Sequence, residues 1–195
     1  MSFGKLYTYS KAPRSTMVLF VAKYNKLDVE ICNAFPIKVA VAWFLAKQDP
    51  NTKLCGSNLK EETTVIRWAS FTNYELLPPI MAWIQPIIGR APTSPEILKE
   101  REEGCELTIR AIEKEIEGKK YLVGDTLTLA DLFVVSGLAR GYQYVFTKSW
   151  AEKHPVVHEY YMSIRNDKDG IFDSILGPNI IRDEAGGTYP DYDGL

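Results

Sequence analysis

Two short runs of strand-forming residues flank a longer amphipathic run near the start of the sequence. Residues 5–9 and 27–32 are rich in β-forming or alternating apolar side chains, a pattern typical of strands. Residues 13–24 place apolar side chains, Tyr24 among them, on or near one side of a helix that Asn25 should end. This order predicts a βαβ unit with parallel strands and a right-handed crossover.

Helical patterns follow from residue 39. Residues 39–46 are apolar on every side, which predicts a buried helix, and Pro50 disfavours helical structure at the residue before it. Apolar residues then recur at helical spacing through most of the remaining sequence. The pattern predicts three segments: a small N-terminal domain (1–49), an all-helical domain (50–185) and a flexible acidic tail (186–195).

Capping residues and prolines mark the ends of several predicted helices. Asn58 is followed three residues later by Glu61, which is the spacing of a capping pair. Ser94 can cap a long helix in which Pro95 occupies the first position, where a backbone N–H is not needed. The two prolines at 78–79 should break the helix that starts after Asn58.

The most informative run is 121–145, in which a capping pair precedes a long apolar stretch. Thr128 is predicted to be the N-cap: its hydroxyl can accept from the amide of Asp131, whose carboxylate can reach back to the Thr128 amide. The helix from 129 to about 146 begins with apolar residues on nearly every face, so we predict a central, buried helix. Two glycines one turn apart would let a neighbouring helix approach closely: Gly137 and Gly141.

Asp131 has two interpretations. A carboxylate beside a core helix could be catalytic. The Thr-x-x-Asp spacing fully explains it as a structural cap, at the positive end of the helix dipole. We favour the structural interpretation, because it accounts for the position of both Thr128 and Asp131.

Composition narrows the classes of function. The chain is 46% hydrophobic, which is sufficient for a core, and its net charge of -2 argues against a nucleic-acid partner held through phosphates. The apolar runs are too short to span a bilayer, and the first residues lack the apolar core of a signal peptide. We therefore expect no membrane partner and a cytoplasmic location.

Cysteine and histidine positions give little support for a metal site. The cysteines are far apart and include no Cys-x-x-Cys pair, so neither a disulfide framework nor a zinc site is expected: Cys32, Cys55 and Cys105. His154 and His158 are four residues apart and could share a helix face as metal ligands. We favour helix capping for His154 and surface exposure for His158, and expect no bound metal.

The run at 121–145 resembles the C-terminal, all-helical domain of the glutathione transferase superfamily, in which the same capping pair starts the core helix. Four further runs resemble the N-terminal, transferase-like domain of the gamma subunit of translation elongation factor 1, fungal type: Lys5-Leu-Tyr-Thr-Tyr9, Arg67-Trp-Ala-Ser-Phe71, Glu75-Leu-Leu-Pro-Pro79 and Gly89-Arg90. The resemblance implies an α/β plus all-α fold: a truncated thioredoxin-like βαβ unit followed by an all-helical glutathione-transferase C-terminal domain.

The resemblance is interrupted near residues 33–36. In the family, a helix, a β-hairpin and a connecting loop lie between the second strand and the next apolar helix, and this sequence has no counterpart for them. The family's pair that holds the γ-glutamyl end of glutathione would fall at about Pro36 and Ile37, whose side chains cannot accept a hydrogen bond. We expect most of a glutathione site to be missing and the N-terminal third, with a reduced sheet, to be the least stable part.

The resemblance also implies how a transferase of this family activates glutathione. A hydroxyl in the first strand-to-helix loop donates a hydrogen bond to the thiolate and lowers the pKa of the thiol. Counting back from Arg14, Ser10 matches the serine of the serine-type classes, with Tyr7 or Tyr9 as the alternative donor, and Arg14 could help to bind an anion. We favour structural roles for Ser10, as a turn or cap residue, and for Tyr7, packed in its strand. Arg14 could equally be only exposed to solvent.

Two functions are implied. The first is a non-catalytic scaffold of the elongation factor 1 complex that binds its guanine-nucleotide-exchange subunit, can form a homodimer and needs no cofactor. The second is a glutathione transferase that joins glutathione to electrophiles, with Ser10 as the thiolate stabiliser. We favour the first. A third alternative, that the shortened chain does not fold stably, is left open.

Overall fold

The computed structural model describes residues 3–8, 13–32, 40–167 and 169–187. Within them, strands β1 (Gly4–Tyr7) and β2 (Val29–Cys32) form a two-stranded sheet and are joined by helix α1 (Pro13–Tyr24). The strands are parallel, with Leu6 paired to Ile31. The predicted βαβ unit is confirmed, although β1 begins earlier than predicted and Tyr9 lies outside the described residues.

Further helices follow in the described part of the chain. In chain order they are α2 (Ala40–Ala46), α3 (Leu59–Phe71), α4 (Leu77–Ile87), α5 (Pro95–Ile116), α6 (Leu129–Tyr142), α7 (Lys148–Lys153), α8 (Pro155–Arg165) and α9 (Ile171–Leu176). The predicted fold class is therefore confirmed: a small α/β unit followed by an all-helical region. Helix α7 was not predicted, and the division into domains at residue 49 stays a prediction.

Helix α1 is buried along its middle, from Ser15 to Ala22, because α2, α6 and α9 all pack against it. A helix covered on several sides needs apolar residues all round. Residues 17–22 supply them, so burial is not confined to one side of α1 as predicted. Tyr24 is 46% exposed, so its predicted placement on the buried side is wrong. It is the last residue of the helix and stacks on Phe20 from outside the core.

Helix α2 is covered on one side, which corrects the expectation that it would be buried all round. Ala42, Leu45 and Ala46 are buried, and α2 packs on α1. Phe44 is 57% exposed, although it lies in the same apolar run. An all-apolar helix is buried only where neighbours cover it, and the described residues leave one face of α2 open.

The helix that starts after Asn58 is not broken by the prolines at 78–79, contrary to the expectation. Asn58 caps α3 by accepting a hydrogen bond of 3.1 Å from the amide three residues later. The chain then passes through a π-helical turn, Thr72–Leu76, directly into α4. The Leu77 amide donates to the Thr72 carbonyl across this wider turn, which gives the proline rings the room that a regular α-helix would deny them.

Helices α5 and α6 agree with the capping predictions. The Ser94 hydroxyl accepts from the Ile97 amide at 3.3 Å, and α5 buries an apolar stripe against α4 and α8. Every residue of α6 is buried, including Arg140, so the prediction of a central core helix is confirmed. Helix α6 ends at Tyr142, earlier than the predicted boundary near 146.

The two glycines of α6 allow two different close approaches. A Cβ at Gly137 would lie 3.1 Å from Leu76 Cδ2, so this glycine admits the π-helical turn, as predicted. A Cβ at Gly141 would collide with the ring of Phe146, which belongs to the turn that ends α6. The carbonyl of Gly141 also accepts the amides of the three residues that end with Phe146. Gly141 therefore permits a tight helix end, not a helix–helix contact.

In the described part of the chain no helix is both long and apolar enough to cross a bilayer.

Candidate functional site

The end of strand β1 carries the described part of the candidate thiol site. Tyr7 is the last residue of β1 and is 46% exposed, so it faces solvent and is not packed as we had favoured. The next residue, Thr8, is buried. Its amide donates to the Cys32 carbonyl at 2.8 Å, and its hydroxyl shares a hydrogen bond with the Ser15 hydroxyl. The buried Thr8 and Ser15 pair thus fixes the start of the strand-to-helix connection to α1.

Arg14 lies in the first turn of α1 and links it to the helical region. Its Nε donates a hydrogen bond of 2.6 Å to Asn73 Oδ1, and the side-chain Nδ2 of Asn73 in turn donates to the Ala69 carbonyl at 2.8 Å. Asn73 belongs to the π-helical turn, a type of distortion that is frequent at functional sites. Arg14 is exposed to solvent, and its guanidinium has further N–H donors with which it could bind an anion, so anion binding by Arg14 stays a prediction.

The described residues supply part of what glutathione would need. Tyr7 offers an exposed hydroxyl and Arg14 an exposed guanidinium, but in the described part of the chain no hydrogen bond joins the two. Ser10 lies outside the described residues, as do Pro36 and Ile37, where the family's γ-glutamyl site would fall. The role of Ser10 and the binding of glutathione therefore stay predictions.

The Asp131 carboxylate accepts several hydrogen bonds at the start of the core helix α6. It is 0% exposed. Its Oδ1 accepts from the Leu122 amide at 2.8 Å and the Tyr160 hydroxyl at 2.9 Å. Its Oδ2 accepts from the amide and hydroxyl of Thr128 at 2.9 and 3.0 Å, and the two residues form a reciprocal capping box. One carboxylate thus ties the loop before α6, the helix start and α8 together.

This arrangement suits a structural carboxylate. A catalytic acid or base has to reach its substrate, whereas Asp131 has no exposed surface and its oxygens are used by internal donors. Burial raises the pKa of Asp131, while the hydrogen bonds from the Leu122 and Thr128 amides and from Tyr160 oppose that effect. Burial and the nearby Asp131 also raise the pKa of Tyr160, which keeps its hydroxyl protonated and able to donate.

Sequence reasoning missed the part that Tyr160 plays. Its position among the apolar residues of α8 agrees with a buried ring, since the residue is 5% exposed. A buried tyrosine hydroxyl normally finds an acceptor, and a buried carboxylate normally collects several donors. These two requirements could have indicated that both residues need a buried hydrogen-bond partner. Nothing in the sequence specifies that Tyr160 and Asp131 are each other's partner.

The two histidines have separate roles. The His154 ring is buried, and its Nδ1 and Nε2 lie 3.2 Å from Glu113 Oε1 and 3.1 Å from Glu106 Oε1. His154 does occupy the N-cap position of α8, but its side chain does not cap the helix. His158 is half-buried, with Nδ1 2.9 Å from the Tyr142 hydroxyl. Among the described residues no three histidine, cysteine, aspartate or glutamate side chains are grouped so that they could hold a metal ion.

An apolar groove runs between α2 and α3. Its lining is formed by Ala40, Trp43, Phe44, Lys47 and Ile66, and we refer to it as the α2/α3 groove. Phe44 is 57% exposed and Ile66 52% exposed. Phe3, itself 42% exposed, lies beside Phe44 with the ring centroids 6.1 Å apart and extends the apolar surface. A cluster of exposed apolar side chains is typical of protein-binding surfaces.

Comparison with known proteins places this architecture in a family. Residues 76–167 match the model of the glutathione S-transferase C-terminal domain. Glutathione S-transferase AN1595 from Emericella nidulans is 31% identical over 192 residues, a match that covers 84% of this chain and 72% of that protein. The alignment has 192 positions but includes only 84% of this 195-residue chain. Some segments of AN1595 are therefore aligned with gaps in this chain.

Elongation factor 1-gamma proteins are also similar. The Schizosaccharomyces pombe protein is 34% identical over 157 residues, covering 80% of this chain, which spans 36% of that protein's length. The crystal structure of the GST-like domain of elongation factor 1-gamma from Saccharomyces cerevisiae superposes with a TM-score of 0.81 at 21% identity, over 97% of this chain and all of that one. The sequence match to AN1595 and the C-terminal domain match lead to the same conclusion: the chain belongs to the glutathione S-transferase family.

Proposed function

We propose that this chain is a non-catalytic scaffold of glutathione-transferase fold that acts in the cytoplasm as part of the elongation factor 1 complex. In this role it supports translation elongation by binding the guanine-nucleotide-exchange subunit. The exposed α2/α3 groove carries the scaffold part of the proposal, because it is an apolar surface open to contact with another protein chain. Its similarity to elongation factor 1-gamma supports the choice of complex.

We assign the α2/α3 groove itself to a second copy of this chain, so that the scaffold is a homodimer. An ion pair lies at the edge of the groove, where the lining residue Lys47 pairs with Glu62 at 3.0 Å. In a two-fold interface each copy meets the same surface of its partner. A rim that carries both signs of charge is self-complementary in such an interface, since each cation can face a carboxylate of the other copy.

A binding experiment with the guanine-nucleotide-exchange subunit tests the proposed function directly. The purified chain is immobilised and incubated with the purified subunit at micromolar concentrations. Recovery of the subunit in stoichiometric amounts is the expected result. Failure to recover any of it, from a chain that circular dichroism shows to be folded, would count strongly against the scaffold proposal.

The groove is tested separately by measuring the molar mass of the chain with light scattering after size-exclusion chromatography. The parent chain should have the mass of a dimer, and Phe44→Glu should have that of a monomer, because a charge would be buried without a partner. Leu107→Glu places the same charge on α5 at a side chain that is 78% exposed and should remain dimeric. A monomeric parent chain, or a dimeric Phe44→Glu variant, would exclude this assignment.

A second candidate function is glutathione transfer, favoured by the match to AN1595 along most of that protein. In this alternative Ser10 donates a hydrogen bond to the glutathione thiolate, Tyr7 is the alternative donor and Arg14 binds a carboxylate. The thiolate would attack an electrophilic carbon such as that of 1-chloro-2,4-dinitrobenzene, forming a C–S bond and releasing chloride. Saturable glutathione binding by calorimetry, with conjugation lost in Ser10→Ala, would favour this alternative. Absence of both in the folded parent chain would exclude it.

A further inference from the structure

His154 occupies the corner at which α7 ends and α8 begins, on the side that faces α5. Its amide donates to the carbonyls of Trp150 and Ala151, and its carbonyl accepts from the His158 amide at 3.0 Å. The residue is 6% exposed. Because the backbone of His154 ends one helix and starts the next, a contact made by its ring holds the whole corner against α5.

Both nitrogens of this ring face carboxylates of α5. Nδ1 lies 3.2 Å from Glu113 Oε1, and Nε2 lies 3.1 Å from Glu106 Oε1. A neutral imidazole has one N–H donor and one lone pair, so it can donate to only one of these carboxylates. Its other nitrogen would then present a lone pair to an oxygen at hydrogen-bond distance. The geometry is satisfied by the imidazolium ion, in which both nitrogens donate.

The charges in the groove between α5 and the α7/α8 corner support this protonation state. Three carboxylates of the groove pair with lysine or arginine: Glu102 with Lys153 at 3.7 Å, Glu103 with Lys99 at 3.8 Å and Glu106 with Arg110 at 3.7 Å. Within the described part of the chain, the Glu113 carboxylate has His154 as its one ion-pair partner. A charged His154 ring therefore completes the pairing of the groove's carboxylates.

Other neighbours of the ring act in both directions. Burial and the positive end of α8 disfavour a charged ring. Trp150 of α7 favours it, since an aromatic face attracts a cation and the ring centroids are 4.5 Å apart. Cys105 of α5 is uncharged at neutral pH, because burial raises the pKa of its thiol to about 12. His158 of α8 turns its Nδ1 to the Tyr142 hydroxyl of α6. The two carboxylates are thus the charged groups in direct contact with the ring.

We propose that His154 forms a pH-sensitive clamp with Glu106 and Glu113: as the imidazolium ion it fastens the α7/α8 corner to α5, and loss of its second proton loosens this contact. The proton lies on the ring and not on a glutamate, because a free imidazole holds a proton to a pH about two units higher than a free carboxylate does. The clamp is separate from the α2/α3 groove and from the candidate thiol site, and it does not depend on either proposed function.

NMR of the full chain, labelled with ¹⁵N at histidine, tests the charge of the ring directly. The chain has two histidines, so the ring signals that remain in His158→Gln belong to His154. The two nitrogens of an imidazolium ion both carry protons and have similar chemical shifts, whereas those of a neutral ring differ widely. At about pH 7 we expect two protonated nitrogens in His154. One protonated and one unprotonated nitrogen would overturn the proposal.

Two glutamate variants show whether contact with the ring holds the proton. Glutamine at position 113 can donate to a neutral ring nitrogen, so in Glu113→Gln the second proton of His154 should be lost at a pH lower by about one unit. Glu103→Gln removes a carboxylate of the same groove that pairs with Lys99, and its effect should be much smaller. Equal effects of the two variants would mean that no specific clamp exists and would overturn the proposal.

Thermal unfolding shows whether the proton fastens the corner. Since the folded contact favours the protonated ring, its contribution to stability is present at low pH and is lost as the pH rises. The Tm of the parent chain minus that of His154→Gln should therefore fall by about 2–4 °C between about pH 6 and 9. His158→Gln is the matched control, because its ring faces a tyrosine hydroxyl. A difference for His154→Gln that is constant, or that changes no more than the one for His158→Gln, would overturn the proposal.

Discussion

The hydroxyl of Tyr160 donates a hydrogen bond of 2.9 Å to the carboxylate of Asp131 at the buried contact between α8 and the start of α6. The two residues are far apart in sequence, and the bond is shielded from water, since Asp131 is 0% and Tyr160 5% exposed. In such surroundings an unsatisfied polar group is costly. The stability of the helical region should therefore depend on this carboxylate.

Replacing Asp131 by alanine should lower the free energy of unfolding by about 3–5 kcal/mol, because the buried donors from Leu122, Thr128 and Tyr160 would lose their acceptor. Denaturant unfolding followed by circular dichroism measures the change. Asp125→Ala is the control, since Asp125 is an exposed carboxylate in the same loop and should change stability by less than about 0.5 kcal/mol. Equal small effects in both variants would contradict the structural role of Asp131.

Tyr160→Phe should lower the free energy of unfolding by about 1.5–3 kcal/mol, the range for a hydrogen bond to a charged group. In the Asp131→Ala background the same substitution should cost much less, because the acceptor is already gone. A double-mutant cycle therefore should show a coupling energy of about 0.5–3 kcal/mol. Additive effects would mean that the hydroxyl acts through some other contact.

The capping pair and the Tyr160 contact show what the sequence alone could and could not predict. Thr128 and Asp131 are three residues apart, so their geometry follows from local helix rules. Tyr160 reaches Asp131 only because α8 packs against α6, a tertiary contact that no local spacing encodes. The contacts of the candidate thiol site could not be predicted locally either. Its residues were assigned by resemblance, and their contacts depend on how α1 packs against the π-helical turn.

The wrong predictions have a similar origin. Prolines at 78–79 normally end a helix, and a π-helical turn, Thr72–Leu76, was needed to accommodate them. Phe44 was placed in a buried helix because its neighbours are apolar, but burial also requires a neighbouring element on that face. Local propensity was sufficient to predict the helices and strands. Which face of each helix is buried depends on the tertiary packing.

Gly141→Ala should destabilise the chain by about 1–3 kcal/mol, because a Cβ would collide with the ring of Phe146 in a packed core. Gly104→Ala is the matched control: it is also a helical glycine, but a Cβ there has nothing within 4 Å. The control should stabilise the chain by about 0.5–1 kcal/mol, as expected for removing a helix-interior glycine. Thermal or denaturant unfolding measures both, and a stabilised Gly141→Ala would show that the turn after α6 can move away.

The three cysteines should differ in reactivity toward an aromatic disulfide reagent at pH 8. Burial raises the pKa of the Cys55 thiol to about 11 and that of Cys105 to about 12. Folded-state pKa values above the unfolded value keep both thiols protonated at this pH, and the thiolate is the reactive form. Cys32 is partly exposed, so the native chain should release about one equivalent of reporter.

The reaction with denatured chain provides the upper limit, because all three thiols are then accessible. Cys32→Ser should abolish the fast reaction of the native chain, whereas Cys105→Ser should leave it unchanged. Fast release of three equivalents from the native chain would mean that the helical region opens on the timescale of labelling.

Hydrogen exchange should show that the β1–β2 sheet is the least protected regular structure in the described part of the chain. A two-stranded sheet is marginal by itself, and Ile31 is 55% exposed within it, whereas every residue of α6 is buried. Helix α1 should be intermediate, because it packs on α6 but connects the two strands. Amides of Leu6 and Ile31 should therefore exchange at least about tenfold faster than those of Leu132 and Val135, which corresponds to a local opening that is easier by about 1.4 kcal/mol. Equal protection of the strands and α6 would mean that the N-terminal region unfolds together with the helical core, and the expectation of a weaker N-terminal third would then be wrong.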